Sequence, residues 1–459
     1  MDCETNIDSI RALEEQIGEH ERAVIRLKRI RNSLLNISKL PPELLGKIFR
    51  WNVTPKSDFD GLDEESHNFL LVCHHWFEVA SCTPDLWNFW GNSLKDWARW
   101  CYRSGNAPLD LVLSGVDPND DKYSYFFYVS TPRDMLQDRA ARDAIRRVHL
   151  TARNWGLLDC IVDSLTSNHE EPRSSGVESI VLRNESGRPV DVSDFFACYR
   201  FPKLRRLELF YCAISSWNCL TSRTSVLTVL VLDFDHPSPT RSPPTPTTPQ
   251  LLSVLASNPT LRKVGLTRRA IPDDGGGESS VQVQLHHLEE LQLEGGLRHV
   301  IRLLDHLNHP RNIDHLSLTL YDSDITDTSQ IIGPYLRGHL QRRDSPQNGL
   351  SLHVSSDNRI VFRAGDAEGI NFSAPEWKRI NPFIRIAVVP EGRAPESALR
   401  RAALDLITYT PPEEVVYFHA YRVPVVMEDT RTRFPNLRAL SSNPGMVDSD
   451  PPSVLHTFV

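Results

Sequence analysis

Apolar positions near the start of the chain recur at helical spacing. Ile10, Leu13, Ile17, Val24, Leu27 and Leu34 follow a 3-then-4 rhythm, so residues 7–35 read as one helix. His20 and Arg31 fall where apolar residues are due, and Gly18 weakens the helix further. The stripe is barely four heptads long. It reads as an amphipathic helix that packs on its own protein rather than as a self-dimerising coiled coil. A second pattern runs from Ile37 to Phe49. Pro42 suits a first helical turn, and Glu43 complements the positive end of the helix dipole. Leu40, Leu44 and Ile48 are spaced by four, and Leu45 and Phe49 repeat that spacing one step round. One helix therefore offers two adjacent apolar stripes, too wide for a single partner face. A polar stretch with Pro55 and Gly61 follows, then the apolar run Phe69 to Ala80. Thr83-Pro84-Asp85 reads as a cap that opens a short turn carrying Leu86 and Trp87.

Residues 98–140 read as a connector, with strand candidates at 110–113 and 125–129. From about residue 141 a word of the form L-x-x-L-x-L recurs with conservative swaps. It begins at Ile145, Val177, Leu204, Leu227, Leu261, Leu288 and Ile313, at spacings of 32, 27, 23, 34, 27 and 25 residues. Helix-like stretches lie at 157–165, 251–255 and 300–307. Later strand candidates are 350–354, 383–389, 415–418 and 437–440. Six of the fourteen residues from His236 to Pro249 are proline, so this segment reads as a loop that neither coils nor pairs. Asp273 to Gly277 reads as another flexible loop, and the tail from Ser441 as poorly ordered.

Composition narrows the class. The 459 residues carry a formal net charge of −8, with 40% hydrophobic and 24% charged residues, which is ordinary for a globular protein of about three domain-sized units. No run approaches the ~18 apolar residues of a membrane helix. The segment MDCETNIDSI lacks the apolar core of a signal peptide. The mildly acidic balance lacks the electrostatic footprint of a nucleic-acid binder. Eight scattered cysteines without a C-x-x-C pair read as free thiols in a reducing compartment, so cytoplasm or nucleus is expected. No nucleophile elbow, phosphate-binding loop, dinucleotide fingerprint or H-E-x-x-H motif is present. Six histidines fall between 286 and 315, and His306 and His309 could share a helix face. No cysteine or carboxylate spacing joins them, so they read as solvated side chains, as do Glu289-Glu290 and Glu413-Glu414. Neither a metal, a cofactor nor an enzymatic activity is expected.

The order of motifs is informative. L-P-x-E-L-L-x-x-I-F from Leu40 to Phe49, L-x-x-V-C-x-x-W-x-x-x-A from Phe69 to Ala80 with Phe69 in the place of its first leucine, and P-x-L-W from Pro84 to Trp87 together resemble an F-box. The polar stretch from Asn52 to Asn68 is longer than that family's usual link and is expected to loop out. The resemblance implies a three-helix module over 37–97 that docks on the Skp-type adaptor of SCF ubiquitin ligases. Leu40, Pro41, Glu43, Leu44, Ile48 and Phe49 would supply a first contact surface. Val72, Cys73 and Trp76 would supply a second, with Leu86 and Trp87 closing the module. The recurring words, over 141–440, resemble an irregular leucine-rich-repeat solenoid, in which each unit buries its apolar face against its neighbours. The consensus asparagine is mostly missing, and Asn184 comes closest.

The expected architecture is thus α/β: an N-terminal helix (1–36), an F-box-like module (37–97), a connector (98–140), a repeat domain (141–440) and a flexible tail (441–459). The function it implies is the substrate-recognition subunit of an SCF-type ligase, binding an adaptor and an unknown target protein, with no nucleic acid and no membrane. Residues such as Glu208, Gln292 and Ser317 would face the target. The alternatives are an ordinary α/β domain in place of the repeats, and a repeat-based interaction scaffold without ligase association.

Overall fold

The computed structural model describes residues 2–53, 64–90, 103–105, 107–116, 144–152, 173–174, 176–186, 188–221, 226–235, 244–274, 281–308, 313–322, 325–340, 349–354, 360–366, 381–390, 395–410, 415, 417–421, 432–437, 439–443 and 454–457. They divide into two compact units, Met1–Arg153 and Asn154–Val459. The chain is mixed α/β, and the second unit is built on a large, mostly parallel sheet.

The first unit opens with α1 (Asp2–Ser33), followed by a 3-10 turn (Asn36–Lys39), α2 (Pro42–Val53), a 3-10 segment (Glu64–Leu71), α3 (His74–Ser81) and a 3-10 turn (Pro84–Leu86). Pro42 occupies the first turn of α2, where a missing N–H costs nothing. The run 69–80 is not one helix. Cys73 is extended and ends the 3-10 segment before α3 begins. The expected loop from 52 to 68 is shorter than its sequence suggests, because α2 extends to Val53, which is buried, and the 3-10 segment starts at Glu64. Residues 54–63 lie outside the described residues. Strands β1 (Phe89–Trp90), β2 (Leu109–Val116) and β3 (Ile145–Ala152) pair in parallel. The buried carboxylate of Asp110 in β2 pairs with Arg146 at 3.2 Å and Arg147 at 3.8 Å. The strand expected at 125–129 lies outside the described residues.

α1 departs from expectation. None of its described side chains is buried, and Ile10, Leu13, Ile17, Val24 and Leu27 are each about half exposed. The reason is local: the core of the module beside it closes without it, as shown below.

In the second unit the words form the sheet. Strands β4 (Ser179–Asn184), β5 (Arg206–Phe210), β6 (Val229–Asp233), β7 (Lys263–Thr267), β8 (Glu290–Gly296) and β9 (His315–Asp322) pair in chain order and in parallel. Register is uniform. Ile180, Leu207, Leu230, Val264, Leu291 and Leu316 make one buried row, and Leu182, Leu209, Leu232, Leu266, Leu293 and Leu318 make the next. The two-residue step between the rows is the pleat period, which sends both to the same face. Two-residue bridges, such as Val190–Asp191 with Cys212–Ala213, tie neighbouring connections.

Helices Ser193–Cys198, Asn218–Thr221, Thr248–Ala256 and Leu297–His306 lie between these strands. The third begins inside the proline-rich segment expected to be wholly a loop. Thr247 caps it, accepting from the Gln250 N–H at 3.4 Å, while the Gln250 side chain accepts from the Thr247 N–H at 2.9 Å. This capping box and Pro249 in the first turn start a helix where a proline count alone forbids one. The stretches expected to be helical at 251–255 and 300–307 fall in this helix and the next, which ends at His306. The stretch 157–165 lies outside the described residues.

Beyond β9 the sheet order breaks with the chain order. β10 (Gly349–Val354) and β11 (Ile360–Asp366) are antiparallel, and β11 pairs antiparallel with β12 (Asn381–Pro390), which lies beside β9. Then β13 (Tyr417–Tyr421) pairs with β10, β14 (Ala439–Asn443) with β13, and β15 (Val454–Thr457) antiparallel with β14. The tail expected to be unordered thus supplies a strand, since Val454 and Leu455 repeat the apolar character of a sheet edge. Helices Ile325–Leu340 and Glu396–Ile407 pack on each other.

Candidate functional site

The residues of the F-box-like motif fall into two groups that the sequence pattern alone does not separate. Leu45, Phe49, Val53, Phe69, Val79, Ala80, Leu86 and Trp87 form one buried cluster, with Leu70 and Trp76 packed against it. Phe49 stacks on Phe69 with ring centroids 4.6 Å apart and tilts against Trp76 at 5.1 Å. The Trp87 indole donates to the Ala80 carbonyl at 2.8 Å, which satisfies its one polar atom inside the core. The Arg103 guanidinium lies 4.4 Å from the Trp87 ring centroid. Arg50 of α2 forms an ion pair with Asp85 of the last 3-10 turn. Phe49, expected among the contact residues, is therefore a core residue, because it lies on the α2 stripe that faces the 3-10 segment and α3. Leu86 and Trp87 are buried in the same cluster.

The other stripe of α2 stays outside. Leu44 is 46% exposed and Ile48 41% exposed, one helical turn apart. Pro41 and Glu43 are exposed, and Leu40 is half-buried. After the 3-10 segment Val72 is 55% exposed, while Cys73 and Trp76 are half-buried. Three further apolar side chains join the exposed set: Trp51 at 82%, Leu71 at 84% and Phe77 at 40%. Trp51 follows Leu44 and Ile48 at the seven- and three-residue spacing of the same stripe, so the pattern that pointed to them reaches it too. What α2 offers is a bare apolar face on a closed core. Single exposed apolar residues are ordinary; three in line on one helix are not.

On the sheet, Glu208, Val231, Gly265, Gln292, Ser317 and Arg385 align in one row. Gln292 and Arg385 are exposed. Glu208 is not available, being 6% exposed with its carboxylate held by the Arg206 Nε at 2.8 Å. In the next row Arg183 lies over the Phe210 ring at 4.0 Å, and Glu294 accepts from the hydroxyl of Tyr321, which stands one row further on.

One residue that the word pattern did not single out is Cys212. It lies three positions after Leu209, where the repeat consensus L-x-x-L-x-L-x-x-N/C places asparagine or cysteine. Its Sγ is fully buried, 3.9 Å from the Leu182 carbonyl in the preceding strand and 3.5 Å from that of Phe210. Burial pushes its thiol up to about 12, against a backbone hydrogen bond from Phe210 that acts the other way. At Asp191, desolvation works upward, yet hydrogen bonds from Ser215 and Ser193 outweigh it and hold the carboxyl below its ordinary range.

His306 Nδ1 lies 3.1 Å from the Val281 carbonyl, and His309 is outside the described residues. Among the described residues, no group of three or more His, Cys, Asp or Glu side chains is placed to hold a metal ion. No helix among them is long and apolar enough to cross a membrane. No protein-family model matches the chain, and no curated protein matches it.

Proposed function

We propose that this chain is the substrate-recognition subunit of an SCF-type ubiquitin ligase. Residues 37–97 act as an F-box that docks on a Skp-type adaptor. The strand words from residue 141 onward act as a leucine-rich-repeat solenoid whose exposed sheet rows meet a target protein. The chain is not itself an enzyme on this reading. It joins target to ligase, and the transfer chemistry belongs to other subunits.

The observation that carries the reading is the division within α2. Phe49 and Leu45 complete a core that needs nothing more, while Leu44, Ile48 and Trp51 remain on the outer face. A helix that only packed within its own chain would bury both stripes. Such an apolar face gains from a partner in proportion to the area removed from water, at about 25 cal/mol per Å². The repeat reading is supported by the uniform register of six words and by Asn184 and Cys212, which occupy or adjoin the consensus turn position.

The test is co-purification of the full chain with a purified Skp-type adaptor, beside Leu44→Asp/Ile48→Asp. Binding by the wild type and its loss in the double variant, with unchanged thermal unfolding of both, is expected. Equal binding by the variant, or none by a folded wild type, overturns the adaptor reading and leaves a repeat-based interaction scaffold.

A further inference from the structure

The N-terminal helix has no place in that scheme, and its composition is unusual. α1 spans 32 residues, about 48 Å at 1.5 Å per residue. Ile10, Leu13, Ile17, Val24 and Leu27 are between 48% and 65% exposed along it. Most helices draw their stability from packing an apolar face, and this one buries none of its described side chains.

Its charges are sorted by half. Residues 2–21 carry seven acids and one arginine; residues 22–33 carry five bases and no acid. The helix macrodipole favours acids in the first turn and bases in the last, but its influence fades beyond them. It accounts for Asp2 and Arg31, not for Glu14, Glu15, Glu19 and Glu21 meeting Arg22 and Arg26 at mid-helix. Within one helix the sorting also sets like charges beside each other, although Arg11 with Glu15 and Glu19 with Arg22 remain favourable neighbours. Glu4 and Asp8, Glu15 and Glu19, and Arg22 and Arg26 are like charges four residues apart, each unfavourable by roughly 0.2–0.5 kcal/mol.

We propose that α1 pairs with α1 of a second copy of this chain, in antiparallel orientation. Antiparallel pairing lays the acidic half of each helix along the basic half of the other, whereas parallel pairing lays like on like. The apolar positions fit the same two-fold. Ile10 meets Leu27 of the second copy, Leu13 meets Val24, Ile17 meets His20, and Cys3 at the end meets Leu34, the first residue past the helix. One pairing opposes it. Glu14 flanks Glu21 of the second copy on both sides of the centre. That pair is also what distinguishes the two orientations, because in a parallel pair Glu14 flanks Ser9 instead.

The test is the mass of the full chain by size exclusion with light scattering over a concentration series. The wild type is expected to dimerise, and Leu13→Asp/Val24→Asp to be monomeric with the unfolding of the rest unchanged. Glu14→Lys is expected to tighten the dimer severalfold by turning two repulsive pairs into attractive ones. After oxidation of Leu34→Cys, peptide mapping is expected to find Cys3 joined to position 34 of the second copy. A monomer at every concentration, a Glu14→Lys dimer no tighter than wild type, or links joining 3 to 3 and 34 to 34 would each overturn the proposal.

Discussion

Asn184 and Tyr211 are 27 residues apart in the chain, yet the Asn184 Nδ2 donates to the Tyr211 carbonyl at 3.1 Å. The same amide donates to the Arg188 carbonyl at 2.6 Å, and its Oδ1 accepts from the Ser186 N–H at 3.1 Å. Tyr211 needs such an anchor, because it holds a left-handed backbone with φ of 53°. One buried side chain thus ties the turn after β4 to the turn after β5. Asn184→Ala is expected to leave those main-chain groups without partners and lower stability by ~1–3 kcal/mol. Asn184→Asp, which keeps the acceptor and loses both donors, is expected to be no better. Urea unfolding checks this, with a lower midpoint and an unchanged slope.

That bond shows what the words made legible and what they did not. Leu207 and Leu209 lie two residues apart, so they point to one face, and a parallel neighbour in register must repeat them. This is why Leu230 and Leu232, then Val264 and Leu266, stand out in the sequence alone. The strand Ile360–Asp366 does not, because it is an antiparallel return with no repeat to announce it. The two stripes of α2 were legible too, but not which of them faces inward. Periodicity orders residues around a helix and leaves open where the neighbours sit. Phe49 turns inward because Phe69 stacks on it, and that contact joins segments 20 residues apart. Composition misled in the proline-rich stretch, where Thr247 and Gln250 mattered more than the prolines beside them.

The capping box makes a separate, smaller prediction. Thr247→Ala removes the acceptor for the Gln250 N–H and is expected to cost about 1 kcal/mol. Thr247→Asn retains a side-chain acceptor and is expected to cost less. Paired urea titrations of the two variants measure the difference.

Gly333 inverts an ordinary rule. Alanine in place of glycine within a helix usually stabilises by up to ~1 kcal/mol. Here the ring of Tyr409 occupies the space a Cβ would take, beneath the guanidinium of Arg337 at 5.3 Å. Gly333→Ala is therefore expected to destabilise by forcing Tyr409 out. In the background of Tyr409→Ala the same substitution is expected to become neutral or favourable, which a thermal unfolding cycle over the four proteins will show.

Cys212 gives a prediction in pH. Its thiol stays protonated in the folded state up to about 12, while the unfolded chain ionises near 9.0. Its contribution to stability is thus full below 9.0 and is lost as pH rises from there towards 12. Cys212→Ala is expected to flatten that alkaline loss, though it costs packing at neutral pH. Maleimide at neutral pH is expected to modify exposed Cys82 and half-buried Cys73 well before Cys212.

The sharpest contrast lies one residue apart on α2. Phe49 is 1% exposed, stacked on Phe69 and tilted against Trp76; Ile48 is 41% exposed. Phe49→Ala empties the centre of a cluster of eight buried side chains, and large-to-small changes of this kind cost about 3–5 kcal/mol. A small helical module holds little stability in reserve, so it is expected to unfold locally. Tryptophan fluorescence should follow it, because Trp76 and Trp87 leave the core together. Ile48→Ala removes a side chain already largely in water and is expected to change stability by no more than about 0.5 kcal/mol. If residues 37–97 dock on an adaptor as proposed, both are expected to weaken that binding, Phe49→Ala through loss of the fold and Ile48→Ala through loss of contact. Lowering the temperature separates the two, since it restores binding only where the loss came from unfolding. If Ile48→Ala were as destabilising as Phe49→Ala, the outer stripe of α2 would be covered by this chain itself, and the docking face would not exist.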